Sequence, residues 1–373
     1  MNNPFANLFS SLFASKGTSV LGIDIGASSL KIVQLKKKNG KAVLETYGEI
    51  ALGPYGGTNL GRATVLGSEK IAEAIRDLLK ESNTTTTSSG MSLPINSSLI
   101  TFLKMPTNDE RKLAEMVPIE ARKYVPVPIS EVSLDWWAIP KDESTTSEYQ
   151  NGQKLKEDDF GIEVLLVVIS NDALNKNKDI QKSAMIDVSF SEIEIFSNIR
   201  AVLDPSLTPQ MIIDFGAGST KVFIVERGII RTSHIINRGS QDITMAISKS
   251  MNISFEDAEK IKRTQGILEK GNERGASEVS TLTVDYILAE ANRVLLNYYN
   301  KNNKKVSKTI LSGGGAALLG LKEKAEGVLG IQVEIANPFS KVEYPAFLEE
   351  VLKSAGPEFA VAIGLAIRKL QEI

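Results

Sequence analysis

The nine residues Ile23-Asp-Ile-Gly-Ala-Ser-Ser-Leu-Lys31 return 190 positions later as Ile213-Asp-Phe-Gly-Ala-Gly-Ser-Thr-Lys221, identical at six of the nine. A self-match of this kind constrains the fold more than any composition, because it demands two copies of one supersecondary unit. In both copies an apolar run ends on Asp and a second one follows the Gly and Ser, so each reads as strand, turn, strand. The surroundings repeat too: Val20–Ile25, Leu30–Lys36 and Ala42–Ala51 alternate with period two, and so do Met211–Phe215, Thr220–Glu226 and Ile229–Asn237. A chain of 373 residues exceeds what one core ordinarily fills. The repeat therefore predicts two related α/β lobes, parted at the two-proline stretch Asp204-Pro-Ser-Leu-Thr-Pro209.

Each hairpin carries a chemistry. A carboxylate ends the strand, Gly26 or Gly216 lets the backbone approach an anion, and Ser28, Ser29 or Ser219 offers a hydroxyl. One Asp-x-Gly turn is common in any β protein, but two facing each other can grip a phosphate chain. Asp24 and Asp214 would then hold Mg²⁺ through water, as suits a cation that dehydrates reluctantly. A third element, Ser312-Gly-Gly-Gly-Ala316, follows the apolar strand Thr309–Leu311 and precedes a helix expected near Leu318–Glu326, so bare backbone and a helix start would meet at a strand's carboxyl end. Glycine triplets also serve as plain turns; what favours a site is the order of all three motifs, with Glu259 and Lys262 on one face of a helix between the last two. The reading is a phosphate chain with Mg²⁺ between the lobes.

Residues 91–185 look different. Leu93–Met105 reads as a strand, Thr107 and Glu110 as a capping box for a helix running to about Tyr124 across Pro118, and Val132–Ile139 and Ile162–Ser170 as further strands around a polar insertion at 141–159. This is a small α+β subdomain inserted into the first lobe. Before it, Ser68 opens a helix with Ile71, Ile75 and Leu78 in phase, and Ser82–Gly90 reads as a solvated loop. After it, helices are expected at about Ser191–Leu203, Gln241–Ser250, Phe255–Arg263 behind a Ser254/Asp257 cap, Val279–Lys301 and Glu358–Gln371. At the start, Phe5, Leu8, Phe9, Leu12 and Phe13 form one apolar helical face with only Lys16 as nearby positive charge, fit for marginal membrane contact or for docking on protein.

Composition removes other chemistries. Without cysteine there is no disulfide, thiolate zinc site or Cys nucleophile, and His234, in the strand-like Thr232–Ile236, is the only histidine. A net charge of -2 gives no footprint for nucleic acid. No apolar stretch approaches the ~20 residues that cross a bilayer, and no signal peptide is expected.

The motifs resemble those of the actin/Hsp70/sugar-kinase superfamily (ASKHA, ribonuclease H-like) from about Thr18 to Arg368. The resemblance implies that Asp24, Gly26, Ser28, Ser29 and Lys31, with Asp214, Gly216, Gly218, Ser219 and Thr220, take the phosphates and Mg²⁺ of ATP. It gives Gly313, Gly314 and Gly315 the adenine and ribose, and Glu259 and Lys262 the ribose and base. A subdomain inserted in the first lobe is similar to FtsA and its relatives. Within it Met105-Pro106, Glu120-Ala-Arg-Lys-Tyr-Val-Pro126 and Val132-Ser-Leu-Asp135, and beyond it Glu290–Arg293 before Tyr298, resemble the type IV pilus assembly PilM family. That implies an amphipathic segment at 1–16, a first lobe at 17–90 and 186–205, an SHS2-like subdomain at 91–185, a second lobe at 206–238 and 307–340 with a helical subdomain at 239–306, and a return to the first lobe at 341–373.

The same resemblance implies a cytoplasmic scaffold, peripheral at the inner membrane, that binds the N-terminal segment of PilN in a groove formed by residues from about 107 to 137 with the first lobe. Trp136 and Trp137 would line it, only one of the two facing the core. PilO, PilC and the pilus motor ATPases would be reached indirectly. Two alternatives stay open: an FtsA-like filament or division protein that self-associates, and a small-molecule phosphotransferase. For the latter Glu192 and Glu194 are the candidate catalytic groups, although both fit a solvated helix face.

Overall fold

The computed structural model describes residues 19–139, 149–150, 153–154, 161–268 and 274–372. The apolar face at 5–13 and most of the insertion at 141–159 fall outside them. The chain forms two compact units, one of residues 1–92 with 180–373 and one of Leu93–Asp179.

In the first unit, β1 (Ser19–Ile25), β2 (Ser29–Lys38) and β3 (Lys41–Ala51) form an antiparallel meander, and β4 (Ser88–Leu93) lies parallel to β1. β1 is buried on both faces, and its period-two alternation decides what covers each. Leu21 and Ile23 join Ile71, Ile75 and Leu78 of helix α1 (Ser68–Glu81). Val20 joins Ile363 and Ala366 of the helix that closes the chain (Ala360–Gln371), at the opposite end of the sequence. Gly22 shares the parity of Val20, and its missing side chain lets the Ala362 carbonyl and the Ala366 amide of that helix lie directly on the strand. Asp24 is the next residue of the same parity, at the strand's end.

The second lobe repeats the plan. β11 (Gln210–Phe215), β12 (Thr220–Glu226) and β13 (Ile229–Ile236) form an antiparallel meander, with β14 (Lys308–Ser312) parallel to β11 and β15 (Gln332–Ile335) parallel to β14. With β10 (Asp187–Ile193) the two sheets have orders β3-β2-β1-β4-β10 and β13-β12-β11-β14-β15, the same order built twice. Met211, Ile213 and Phe215 pack on Val284, Ile287, Leu288 and Ala291.

The other unit is a three-stranded antiparallel sheet of order β5-β9-β6, made of β5 (Ser98–Met105), β6 (Val132–Ile139) and β9 (Ile162–Ser170); the two-residue strands β7 (Tyr149–Gln150) and β8 (Gln153–Lys154) pair with each other. Leu103, Met105, Val164, Leu166 and Val168 face Leu113, Val117 and Ala121 of α2 (Glu110–Ala121), which continues through Pro118.

Several expectations are corrected. Pro94 divides the expected strand Leu93–Met105, because it donates no backbone hydrogen bond: β4 ends at Leu93 and β5 begins at Ser98. β4 also reaches back into the stretch read as a solvated loop, with Ser89 and Gly90 buried. The cap of α2 is Asp109, which accepts from the amides of Arg111 and Lys112, while Thr107 accepts from the Asp109 amide. Helix α3 (Asn171–Ala184) is absent from the sequence reading, and α4 begins at Glu194 rather than near Ser191 (Glu194–Val202). The remaining helices are α5 (Ser240–Met251), α6 (Phe255–Gln265), α7 (Arg274–Asn302), α8 (Leu321–Leu329), α9 (Glu349–Ala355) and α10 (Ala360–Gln371). None among the described residues is long and apolar enough to cross a membrane.

Candidate functional site

The two Asp-x-Gly hairpins and the glycine triplet line one cleft of about 810 Å³ between the lobes of the first unit. The hairpin turns are built alike: the Gly26 amide donates to the Ser29 carbonyl at 3.0 Å, and the Gly216 amide to that of Ser219 at 3.1 Å. A third wall follows β14. Gly313 has φ +80°, a left-handed conformation that glycine adopts without cost, and no Cβ would fit there against Asp214. Its amide donates to the Pro357 carbonyl at 2.8 Å. The helix expected near Leu318–Glu326 begins at Leu321, behind a short 3₁₀ turn, Gly314–Ala317, so the triplet contributes backbone rather than a helix terminus.

Of the residues expected here, Asp24, Gly26, Ser28, Ser29, Lys31, Asp214, Gly216, Gly218, Ser219, Glu259, Lys262, Gly313, Gly314 and Gly315 line the cleft. Thr220 does not. It is fully buried and donates to the Arg238 carbonyl at 2.9 Å, tying β12 to the end of β13. The two glutamates of the phosphotransferase alternative part company. Glu192 is buried at the end of β10 against Ser197, Arg200 and Arg368, with Arg200 Nη1 donating at 2.9 Å. Glu194, the first residue of α4, lines the cleft instead. Neither lies on a solvated helix face.

The electrostatics of the cleft floor follow from burial. Asp24 and Asp214 are each 7% exposed. Removal from water pushes the Asp24 carboxyl up to about 6, with Lys31 opposing and Glu194 adding to the rise. Burial raises Asp214 as well, against the pull of Lys221. Burial works against the Lys221 ammonium, but Glu194 at 2.7 Å and Asp214 at 3.3 Å outweigh it and hold the group charged, above the usual lysine range. Lys31 donates to Ser29 Oγ at 2.5 Å and pairs with Glu49 at 3.0 Å.

Farther out, α6 supplies a second cluster. Glu259 accepts from Thr244 Oγ1 at 2.7 Å, Lys262 at 2.7 Å and Arg263 Nε at 2.8 Å. Burial pushes this carboxyl up, and the three donors more than reverse it. Burial lowers the Lys262 pKa and Glu259 only partly restores it. A loop from the first lobe crosses to this cluster. Gly61 abuts the Glu259 carboxylate, the Ala63 amide donates to Gln241 Oε1 at 2.9 Å, and the Arg62 guanidinium stands 6.0 Å from the Phe255 ring centre.

Sequence reasoning missed Lys221, Glu49, Arg263, Gln241 and Glu358. Lys221 carried a signal, since it aligns with Lys31 in the repeat, and Arg263 lies one helical turn from Glu259. Glu358 carried none: burial raises its pKa, and Gly314 lies beside it, a proximity made by folding alone.

Residues 22–370 match the family described as Type IV pilus assembly protein PilM. The cell division protein FtsA of Bacillus subtilis is 25% identical over 248 residues, which are 59% of this chain and 55% of FtsA. For FtsA of Agrobacterium fabrum the figures are 25% over 178 residues, 42% and 39%. The chain thus spans 55% or less of these relatives' own length. Among solved structures, a PilM–PilN type IV pilus biogenesis complex superposes with a TM-score of 0.76 at 25% identity, covering 94% of this chain and 98% of the other. EutJ of Carboxydothermus hydrogenoformans (TM-score 0.55, 13% identity, 97% and 96% covered) and MreB5 of Spiroplasma citri bound to AMPPNP (0.51, 14%, 95% and 97%) share the fold, which is actin-like.

Proposed function

The chain belongs to the type IV pilus assembly protein PilM family, and we propose that it is an ATP-binding scaffold of that assembly which captures the N-terminal cytoplasmic segment of PilN at the inner-membrane face. The observation that carries the nucleotide reading is the convergence on one cleft of both hairpins, the Gly313–Gly315 turn and the Glu259/Lys262 pair. Backbone amides and hydroxyls of Gly26, Ser28, Ser29, Gly216, Gly218 and Ser219, with Lys31, take the phosphates. Asp24 and Asp214 would hold Mg²⁺, which when bound would supply positive charge against the phosphate oxygens. Glu259 and Lys262 take the ribose and base, and the glycine turn admits the nucleoside by offering no side chains.

A PilM–PilN complex as structural neighbour supports the partner reading. Within the Leu93–Asp179 unit, Ile119, Tyr124, Val127 and Trp137 are exposed between residues 107 and 137, the span assigned to the partner. Such large apolar and aromatic side chains are what anchoring surfaces use. PilO and PilC are reached through PilN.

Equilibrium binding of ATP with Mg²⁺ tests the nucleotide half. Asp24→Ala and Asp214→Ala should each weaken it by roughly 10–100-fold, the range for residues that orient a metal's ligands. Unchanged affinity in both variants would defeat the hairpin assignment.

A further inference from the structure

We propose that Lys221 is a resident counter-cation of the cleft, a positioning residue whose ammonium ties Asp214 to Glu194 and supplies part of the positive charge that a hydrated divalent ion would otherwise supply alone, so that nucleotide binding depends less on metal. The inference rests on the nucleotide reading above.

The repeat makes Lys31 and Lys221 equivalent, each directly opposite its hairpin's aspartate in the strand register. The fold uses them differently. Lys31 turns to Ser29 and Glu49. Lys221 lies between Glu194 Oε2, at 2.7 Å, and Asp214 Oδ2, at 3.3 Å, bridging a carboxylate of each lobe, with all three side chains 15% exposed or less.

Asp24, Asp214 and Glu194 form an acidic floor to which an incoming triphosphate adds further negative charge, and among largely buried carboxylates such repulsion is strong. Some cation must offset it. Mg²⁺ keeps several waters and would use the carboxylates only through them, which requires oxygens free to accept from water. Lys221 already occupies one oxygen on each of two carboxylates, supplies its charge covalently, and cannot dissociate. Ammonium and metal therefore draw on the same carboxylates, and each offsets part of their charge.

The test is equilibrium binding of a fluorescent ATP analogue to the intact chain, in Mg²⁺ and in EDTA. For Lys221→Met, affinity in EDTA should fall about tenfold below wild type while affinity in Mg²⁺ changes less than about threefold, so the ratio between the two conditions widens. Lys221→Arg should keep the wild-type ratio, and Mn²⁺ binding without nucleotide, followed by electron paramagnetic resonance, should tighten in Lys221→Met. Should Lys221→Met not fold, Glu194→Gln decides, because removing that carboxylate should narrow the ratio. Equal ratios in wild type and Lys221→Met, or in wild type and Glu194→Gln where Lys221→Met does not fold, overturn the proposal. A wild type that binds the analogue in neither buffer overturns the nucleotide reading itself, and this proposal with it.

Discussion

Asp24 shows how much one carboxyl can cost when it is kept from water before its ligand arrives. Its pKa in the fold is about 6 against an ordinary 3.8. The unfolded chain therefore releases this proton first as pH rises, and between about 4 and 6 the nucleotide-free fold loses stability, roughly 3 kcal/mol in all by linkage. Asp214 and Glu358 shift the same way, whereas the lowered Glu49 and Glu259 act only below their ordinary 4.5. Urea unfolding in EDTA should find Asp24→Asn more stable than wild type at pH 7 and close to it at pH 4; a constant difference would refute the assignment. Glu192 is the opposite case, satisfied by Ser197, Arg200 and Arg368. Replacing it with Ala strands two partly exposed guanidiniums, at a cost of about 2 kcal/mol. ATP affinity should be unmoved, as paired melting and binding measurements would register. From sequence Glu192 and Glu194 were indistinguishable, because their separation depends on where α4 begins, and nothing in Ser191–Phe196 marks that start.

Elements were legible wherever local pattern and tertiary demand agreed. The two meanders could be read because apolar alternation and the Gly turns coincide in both copies. β4 could not, since Ser88-Ser-Gly-Met-Ser carries only one large apolar residue, and these residues are strand only because β1 offers an edge beneath Phe190, whose ring fills the space above Gly90. α3 was missed because polar residues fill most of Asn171–Ala184 and leave little apolar rhythm. The strand β6 divides its tryptophans as alternation requires: Trp136 packs on the core of its unit, while Trp137 is 48% exposed. Titration of a PilN N-terminal peptide should show Trp137→Ala weakening capture about tenfold with stability intact. Trp136→Ala should instead cost about 2 kcal/mol of stability. Wild-type affinity in both variants would put the partner elsewhere.

At the scale of the molecule, the two lobes are tied across the cleft by direct bonds that include Ala63 to Gln241, Lys221 to Glu194 and Ser312 to Asn198. A ligand gripped by both hairpins therefore adds its binding energy to the integrity of the whole first unit. ATP with Mg²⁺ at ~100 times its dissociation constant should raise stability by about 2.7 kcal/mol, measurable by thermal shift; no shift at saturation would mean that the hairpins do not share the ligand. The closing helix α10 has a consequence of another kind. It completes the core around Val20, Val33 and Leu35 with Ala360, Ile363 and Leu370, side chains encoded more than 300 codons later. A ribosome adding roughly 5–20 residues per second needs tens of seconds to cover that distance. Through that interval one face of the first sheet has only Ala201 and Val202 of α4 from its final covering, while the second lobe, contiguous in sequence, can close as it emerges. The half of the protein made first is the half finished last, and it is there that a nascent chain would call on chaperones.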